Sequence, residues 1–468
     1  METKVDVAII GSGTAGLNAM GQTRRAGKSF VLINGGELGT TCARVGCMPS
    51  KVMIQIAEDF SRRKIFHRFG IQGEDSLSLD DAHAMEHVQD TRDIFVDRVL
   101  AGSTDEMGDE LIEGYAEFVD KQTLKVNDQI IKAEKFVIAT GSTPIIPAAW
   151  KQYGDKILTS DNIFELENIP KSMAVIGMGV IGLELGQAMH NMGVDVTGID
   201  QLEIIAGLTD PVANKAAIDV FSKVFPLWLG AAAEISEEGD LLRVTAGEES
   251  VLVEKVLVSI GRRPNLEKLG LDKLGIELDD TGIPVYNPNT MQIGDAAVFI
   301  AGDVNGVRPI LHEAGDEGKI AGYNASHDEM KAFKRKTPLG VTFSEPNIVT
   351  VGAAWSELQD RDDVVTTEMP MGPVGRALIM AKNKGVIRLY AEKASGNILG
   401  AAIVSTKGEH LGHLLSWCIE QNLTVHDLLR MPFYHPTIEE ALQAALYNLL
   451  KEVDSKPTAL LELQELSD

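Results

Sequence analysis

The chain has 468 residues, 44% hydrophobic and 24% charged, too long for one core and suited to three or four globular domains. Its formal charge of -25 argues against nucleic acid, whose phosphates repel an acidic face, and suits a basic protein partner or simple solubility. Only Cys42, Cys47 and Cys418 occur, too few for a secreted disulfide scaffold; with no run of about 18 apolar residues and no signal-peptide pattern, a cytoplasmic protein free of membranes is expected.

The first apolar run, Val5 to Ile10, leads into Gly11-Ser12-Gly13-Thr14-Ala15-Gly16, then a helical pattern to about Ala26 and a second apolar run, Phe30 to Ile33. This is a strand–helix–strand unit. The design returns at Met173 to Ile176, Gly177-Met178-Gly179-Val180-Ile181-Gly182, a helix to about Met192 and the run Val194 to Ile199. Such a repeat implies two dinucleotide sites. Three further apolar runs end in small residues, as strands do at the ligand-binding edge of an open α/β sheet. They are Phe136 to Ala139 before Thr140-Gly141, Val256 to Ile260 before Gly261-Arg262, and Val298 to Ala301 before Gly302-Asp303. From about residue 340, alternating strands (Val341 to Phe343, Val386 to Tyr390, Ile398 to Val404) precede amphipathic helices near 411–420 and 438–450. That pattern reads as a separate α+β domain. Ser455 onward reads as a polar tail.

In each module the first glycine (Gly11, Gly177) permits a tight turn and the second (Gly13, Gly179) lets a pyrophosphate approach the backbone. The third (Gly16, Gly182) lets helix and strand pack closely. Thr14, Ala15 and Ile181 lie in the same turns, where the helix N-terminus offers free N–H groups to an anion. Asp200 lies 23 residues beyond Gly177, the place of a ribose-binding acid that repels a 2′-phosphate, so NAD is favoured over NADP. The same offset from Gly11 lands on Asn34, an uncharged amide expected to hold its nucleotide less tightly than an acid would.

Between the modules lies Gly39-Thr40-Thr41-Cys42-Ala43-Arg44-Val45-Gly46-Cys47-Met48-Pro49-Ser50-Lys51. Pro49 and the run 51–62 place a helix start near Cys47, where a thiolate is stabilised. Two thiols at this spacing meet only across a distorted turn, which Gly46 would help form. A zinc site would need further ligands, and no second cysteine pair or histidine cluster supplies them. Arg44 carries three readings: it lowers the thiol pKa values, it meets an acidic substrate, or it is a solvated charge. His312 and His410 read as structural, and Cys418, in a helical stretch, as a buried apolar residue.

These motifs, with Glu184, Gly261-Arg262-Arg263-Pro264-Asn265, Ala301-Gly302-Asp303 and His435-Pro436-Thr437 with Glu440, resemble over nearly the full length those of the pyridine nucleotide-disulfide oxidoreductases. The dihydrolipoamide dehydrogenase branch is the most similar. The resemblance implies an α/β fold with two Rossmann-like dinucleotide-binding domains, for FAD and NAD, plus a C-terminal α+β dimerisation domain. The implied boundaries are 1–147 for FAD and the cysteine pair, 148–270 for NAD, 271–338 for a central domain completing the FAD site, and 339–468 for the dimer interface.

It further implies that Cys47 lies next to the flavin and that Cys42 exchanges with substrate. Lys51 and Glu184 would pair where hydride passes. Asp303 would meet the ribitol of FAD, and the backbone of Gly114 and Tyr115 its adenine end. Thr41, Thr140, Gly141, Gly261, Arg262 and Gly302 belong to the cofactor-binding motifs. His435, oriented by Glu440, would act as acid–base across a homodimer interface; its near-neutral pKa suits thiol exchange. The expected reaction is oxidation of a lipoyl dithiol with NAD, alone or within a 2-oxoacid dehydrogenase-type complex. Reduction of another small disulfide, or a non-catalytic redox-sensing flavin subunit, are the alternatives. A mercuric-reductase-like relative would want a second cysteine pair near its C-terminus, whereas only Cys418 follows Cys47.

Overall fold

The computed structural model describes residues 2–457 together with 462, 463 and 466; most of the expected polar tail lies outside them. The first glycine module is built on the parallel strands Leu111–Glu113, Phe30–Asn34, Glu2–Ile10 and Gln129–Ile138, in that order. The last four residues of strand Glu2–Ile10, Val7 to Ile10, are all buried, as expected of a parallel strand covered on both faces. Strand Val298–Ile300 pairs with Gln129–Ile138, so the segment after the second module returns to this sheet and builds none of its own. Its helix Leu311–Ser326 lies against helix Thr14–Arg25 so closely that a Cβ on Gly318 would stand 2.1 Å from the Ala15 carbonyl oxygen. Small residues along this seam let the two backbones approach.

The second module repeats the plan with Leu227–Leu229, Asp195–Asp200, Ser172–Ile176, Lys255–Val258 and Ile157–Leu158. A short antiparallel ribbon, Ser142–Pro144 with Arg262–Pro264, joins the two modules.

The C-terminal region is a five-stranded antiparallel sheet in the order Leu339–Thr342, Asn347–Gly352, Ile398–Ser405, Val386–Glu392 and Val364–Pro370. Here the alternating polarity read at Val386 to Tyr390 leaves neither face open: Val386 through Ala391 are all buried. Ile387, Leu389 and Ala391 enter a core with helices Gly408–Glu420 and Glu439–Leu449, while Val386 and Tyr390 join the core of the second module. The polar residue of the pattern, Arg388, is buried because a partner is buried with it. Its Nε lies 3.0 Å from Oδ2 of Asp210, whose side chain is fully buried. Tyr390 donates to the same oxygen at 2.8 Å, and Oδ1 of Asp210 caps helix Pro211–Phe221. Buried charge is tolerated only with such full pairing.

Candidate active site

The two glycine turns are near copies. Gly11 and Gly177 have φ of 112° and 98°, a region that disfavours any side chain. A Cβ on Gly11 would lie 2.1 Å from the Ala139 carbonyl oxygen, and one on Gly177 2.4 Å from that of Ser259. A Cβ on Gly16 or Gly182 would meet the carbonyl oxygen of Gly11 or Gly177 at 1.8 or 1.9 Å. Their constraint is therefore the turn itself, more than the helix–strand packing expected. Gly13 and Gly179 cap the following helices with no side-chain hydrogen bond and nothing within 4 Å of a Cβ position. Thr14, Ala15 and Ile181 lie in the first turns of these helices. Open glycine caps with free helix N–H groups fit two pyrophosphates.

The residues closing each second strand differ in chemistry. Asp200 accepts from the Met178 amide at 2.6 Å and the Leu202 amide at 2.9 Å. Asn34 instead accepts from the Ser12 hydroxyl at 2.7 Å and donates to the Gly36 carbonyl. Gly114 lies beside it, its amide 2.8 Å from the Asn34 carbonyl oxygen, and Tyr115 follows with 77% of its surface exposed.

Cys42 lies in the short helix Thr41–Val45, and Cys47 opens helix Cys47–Ser61. Gly46 breaks the helix between them with φ -132° and ψ -115°. A Cβ there would come within 3.2 Å of the Cys42 Cα, so glycine lets the thiols fold onto one another. The Cys42 thiol hydrogen-bonds to the Cys47 sulfur, which lowers Cys47 to about 7; burial opposes this and the Lys51 charge assists it. Cys42 is pushed up by the same hydrogen bond, then by its own burial. The pair thus keeps its negative charge on Cys47. Arg44 is half-buried and ion-paired with Glu37, and burial lowers its own pKa.

Lys51, one turn into the redox helix, pairs with Glu184 at 2.7 Å. Glu184 is buried in helix Val180–Met192, and its other oxygen accepts the Phe343 amide at 2.7 Å. The Phe343 ring sits 4.6 Å from the Lys51 ammonium, a cation–π contact. Sequence reading missed Phe343, for it meets this pair only in the folded chain. Asp303 accepts from the Ser142 hydroxyl at 3.1 Å, and that hydroxyl also takes the Arg262 Nε at 2.9 Å. Thr140 is tied to Asn265 by two hydrogen bonds, and Gly141 and Gly261 turn the chain with positive φ on either side of the ribbon. Gly302, with φ 82°, gives its amide to the buried Glu317 at 2.7 Å. Arg335 neutralises Glu317 and Glu313, and all three are further residues that sequence reading passed over.

His435 Nδ1 lies 2.8 Å from Glu440, whose second oxygen accepts the Thr437 amide at 2.9 Å. The His435 side chain is 81% exposed, with its other ring nitrogen directed away from this carboxylate. His312 and His410 are exposed, His410 resting against Glu409. Cys418 is half-buried beside the C-terminal core, and burial raises its pKa. Among the described residues no group of three or more His, Cys, Asp or Glu could hold a metal ion, and no helix is long and apolar enough to cross a membrane.

Comparison with known proteins places this geometry in context. Residues 5–318 match the model of the pyridine nucleotide-disulphide oxidoreductases, and residues 339–446 that of their dimerisation domain. A mercuric reductase of Staphylococcus aureus is 30% identical over 463 residues, 96% of this chain and 83% of that protein. A dihydrolipoyl dehydrogenase of Geobacillus stearothermophilus is 30% identical over 461 residues, 94% of this chain and 96% of that one. Among solved structures, the HOCl-induced flavoprotein disulfide reductase RclA of Escherichia coli, as its Cu(II) complex, shares the fold with a TM-score of 0.84. It is 20% identical, covering 95% of this chain and 99% of RclA. LpdA of Mycobacterium tuberculosis superposes with a TM-score of 0.83 at 22% identity, covering 96% and 99%.

Proposed function

The chain belongs to the pyridine nucleotide-disulphide oxidoreductase family, whose members use FAD and NAD(P), and we propose that it oxidises dihydrolipoamide to lipoamide with reduction of NAD. The observation that carries this reading is the Cys42–Cys47 pair poised beside Lys51–Glu184, with an acid, Asp200, closing the second strand of the second module. Gly11, Gly13 and Gly16 with Asn34, Gly302 and Asp303 hold FAD, and Gly177, Gly179, Gly182 and Asp200 hold NAD.

In the oxidised enzyme Cys42 and Cys47 form a disulfide. His435 of a second copy removes a proton from one substrate thiol, and the thiolate attacks the Cys42 sulfur. The Cys42–Cys47 bond breaks, and the electron pair stays on Cys47, where the Lys51 charge stabilises it. The second substrate sulfur then attacks the substrate sulfur of the mixed disulfide, closing lipoamide, and Cys42 leaves with the proton that His435 took from the first thiol. His435, freed of that proton, takes the one displaced from the second substrate thiol, so the reduced enzyme carries a Cys42 thiol, a Cys47 thiolate and a protonated His435, while Glu440 holds the imidazole by Nδ1 so that Nε2 carries the proton. When bound, FAD supplies the two-electron relay that returns the dithiol to a disulfide at the expense of NAD. Lys51, paired with Glu184, would stand on the side of the site where FAD meets the thiols.

A homodimer supplies the second copy. The matched dimerisation domain supports it, as do Trp417, Met431 and Tyr434, which are 64%, 50% and 81% exposed on that domain. The substrate choice follows the lipoyl branch because no second cysteine pair accompanies Cys418.

The test is NAD reduction by dihydrolipoamide in the flavin-loaded protein, its Cys47→Ser variant and its His435→Ala variant. NAD-specific turnover, abolished in the first variant and reduced about 100-fold or more in the second, is expected of an acid–base and its thiol. Reduction of the flavin by NADH without turnover of dihydrolipoamide would move the substrate to another small disulfide.

A further inference from the structure

The two thiols are carried very differently. Cys47 opens a helix of 15 residues, whereas Cys42 rides on Thr41–Val45, a helix of only five. A helix that short does not hold itself, because nucleation costs more than its few hydrogen bonds return. Its shape is imposed by the turn before it.

That turn contains a residue in a conformation foreign to its side chain. Thr40 has φ 64° and ψ 147°, a region open to glycine and closed to almost every β-branched residue. Such a backbone persists only where its surroundings over-determine it. Here the Thr40 hydroxyl accepts the Ala43 amide at 3.3 Å and caps the short helix, and the Thr40 carbonyl accepts the Arg44 amide at 3.1 Å. From the far side of that helix Arg44 reaches back across the turn and pairs with Glu37. Between them Gly39, with φ 105°, is packed so closely that a Cβ would stand 2.7 Å from Cγ1 of Val96 and 3.4 Å from Cδ of Arg44. Val96 belongs to helix Asp81–Ala101, so the turn is also pressed against a long neighbour.

We propose that Thr40, together with the Glu37–Arg44 pair, is a positioning element that holds the Cys42 sulfur against Cys47 in the dithiol and so favours closure of the disulfide. It acts through Cys42 and takes no part in the exchange itself. A thiol already in place loses little freedom when the bond forms. A loosened one gains freedom only while the bond is open, and the equilibrium then moves toward the dithiol. The proposal rests on the reading of Cys42 and Cys47 as the redox pair.

The experiment equilibrates the flavin-loaded protein with mixtures of reduced and oxidised dithiothreitol at fixed pH, quenches in acid, alkylates free thiols and weighs the protein. Reduced dithiothreitol gives two electrons and two protons to the Cys42–Cys47 bond, which breaks, while its own two sulfurs join in a ring. Thr40→Ala, which keeps a side chain at the positive φ and removes the hydroxyl cap, is expected to move this equilibrium about 2- to 30-fold toward the dithiol, the worth of one helix cap. Each tenfold is about 30 mV for a two-electron couple. Thr40→Gly, which fits the backbone without strain but lacks the cap, moves it the same way and less. Glu37→Gln breaks an ion pair whose acid is 76% exposed and has a smaller effect in the same direction. Thr40→Ser, which keeps the hydroxyl, retains the parent equilibrium. A lower denaturation midpoint in Thr40→Ala and Thr40→Gly with an unmoved equilibrium marks a purely structural residue and overturns the proposal. If the parent then still gains two dithiothreitol-dependent thiols that Cys42→Ser does not, the redox pair stands without it; if the parent gains none, the pair and the proposal fall together.

Discussion

The two nucleotide modules share a backbone plan and differ in how each is secured. Their glycine turns agree to within a few tenths of an ångström in their closest approaches. The first module is locked from behind by helix Leu311–Ser326, through apposed small residues. The second is locked by a charge, with Asp210 buried under Arg388 and Tyr390 of the C-terminal sheet. One seam depends on the absence of side chains, the other on complete pairing of polar ones. A fold can thus be duplicated while its anchorage diverges, because local geometry constrains the turn and only the surroundings constrain its back.

The largest test of this contrast is Arg388→Met. It leaves the Asp210 carboxylate buried without its cation, a loss of about 3–5 kcal/mol of stability by denaturant unfolding. Removing the exposed charge of Lys215, paired with Asp219 on the same module, is expected to change stability by less than about 1 kcal/mol. Equal effects would show that the buried seam does not anchor the module.

Gly16→Ala and Gly182→Ala should each introduce overpacking worth about 1–3 kcal/mol, since either Cβ would meet a carbonyl oxygen closer than 2 Å. The first is expected to deplete bound flavin while sparing NAD affinity, and the second the reverse; calorimetric titration reads both. Loss of both nucleotides in either variant would mean that the modules are not independent.

Between the modules, the redox pair gives a pH prediction. Cys47 is lowered to about 7, so the ultraviolet thiolate absorbance of the reduced protein should rise as pH passes through about 7. In Lys51→Met the cation favouring the thiolate is gone, and the transition moves to higher pH by about one unit, the equivalent of about 1.4 kcal/mol. A transition that stays in place would remove Lys51 from the thiol's environment. A smaller effect on binding is that of Asp200→Asn, which keeps the shape of the second-strand residue and removes its charge. NAD affinity should fall several-fold, about 1 kcal/mol, by the same titration.

Much of this molecule is written locally. Val5 to Ile10 and Met173 to Ile176 announce buried strands by composition, and the glycines that follow specify turns that no other residue fits. The observed strands Glu2–Ile10 and Ser172–Ile176 and helices Thr14–Arg25 and Val180–Met192 sit where the periodicity placed them. The break at Gly46 is also local, since the residues that need it are its neighbours. Lys51 and Glu184 were legible only by resemblance, for their 2.7 Å contact spans two helices distant in sequence. Phe343 carried no signal at all, because its amide and ring matter only once the C-terminal sheet docks on the second module.

The sequence by itself determined the two modules, the thiol pair and the charge that distinguishes Asp200 from Asn34, because each depends on neighbours a few residues away. The tertiary structure alone decided that strand Val386–Glu392 is buried on both faces, that Arg388 finds Asp210, and that the Phe343 ring lies against Lys51. Those outcomes depend on which surfaces meet, and burial becomes tolerable for a charge, or useful for a ring, only when its partner arrives from elsewhere in the chain.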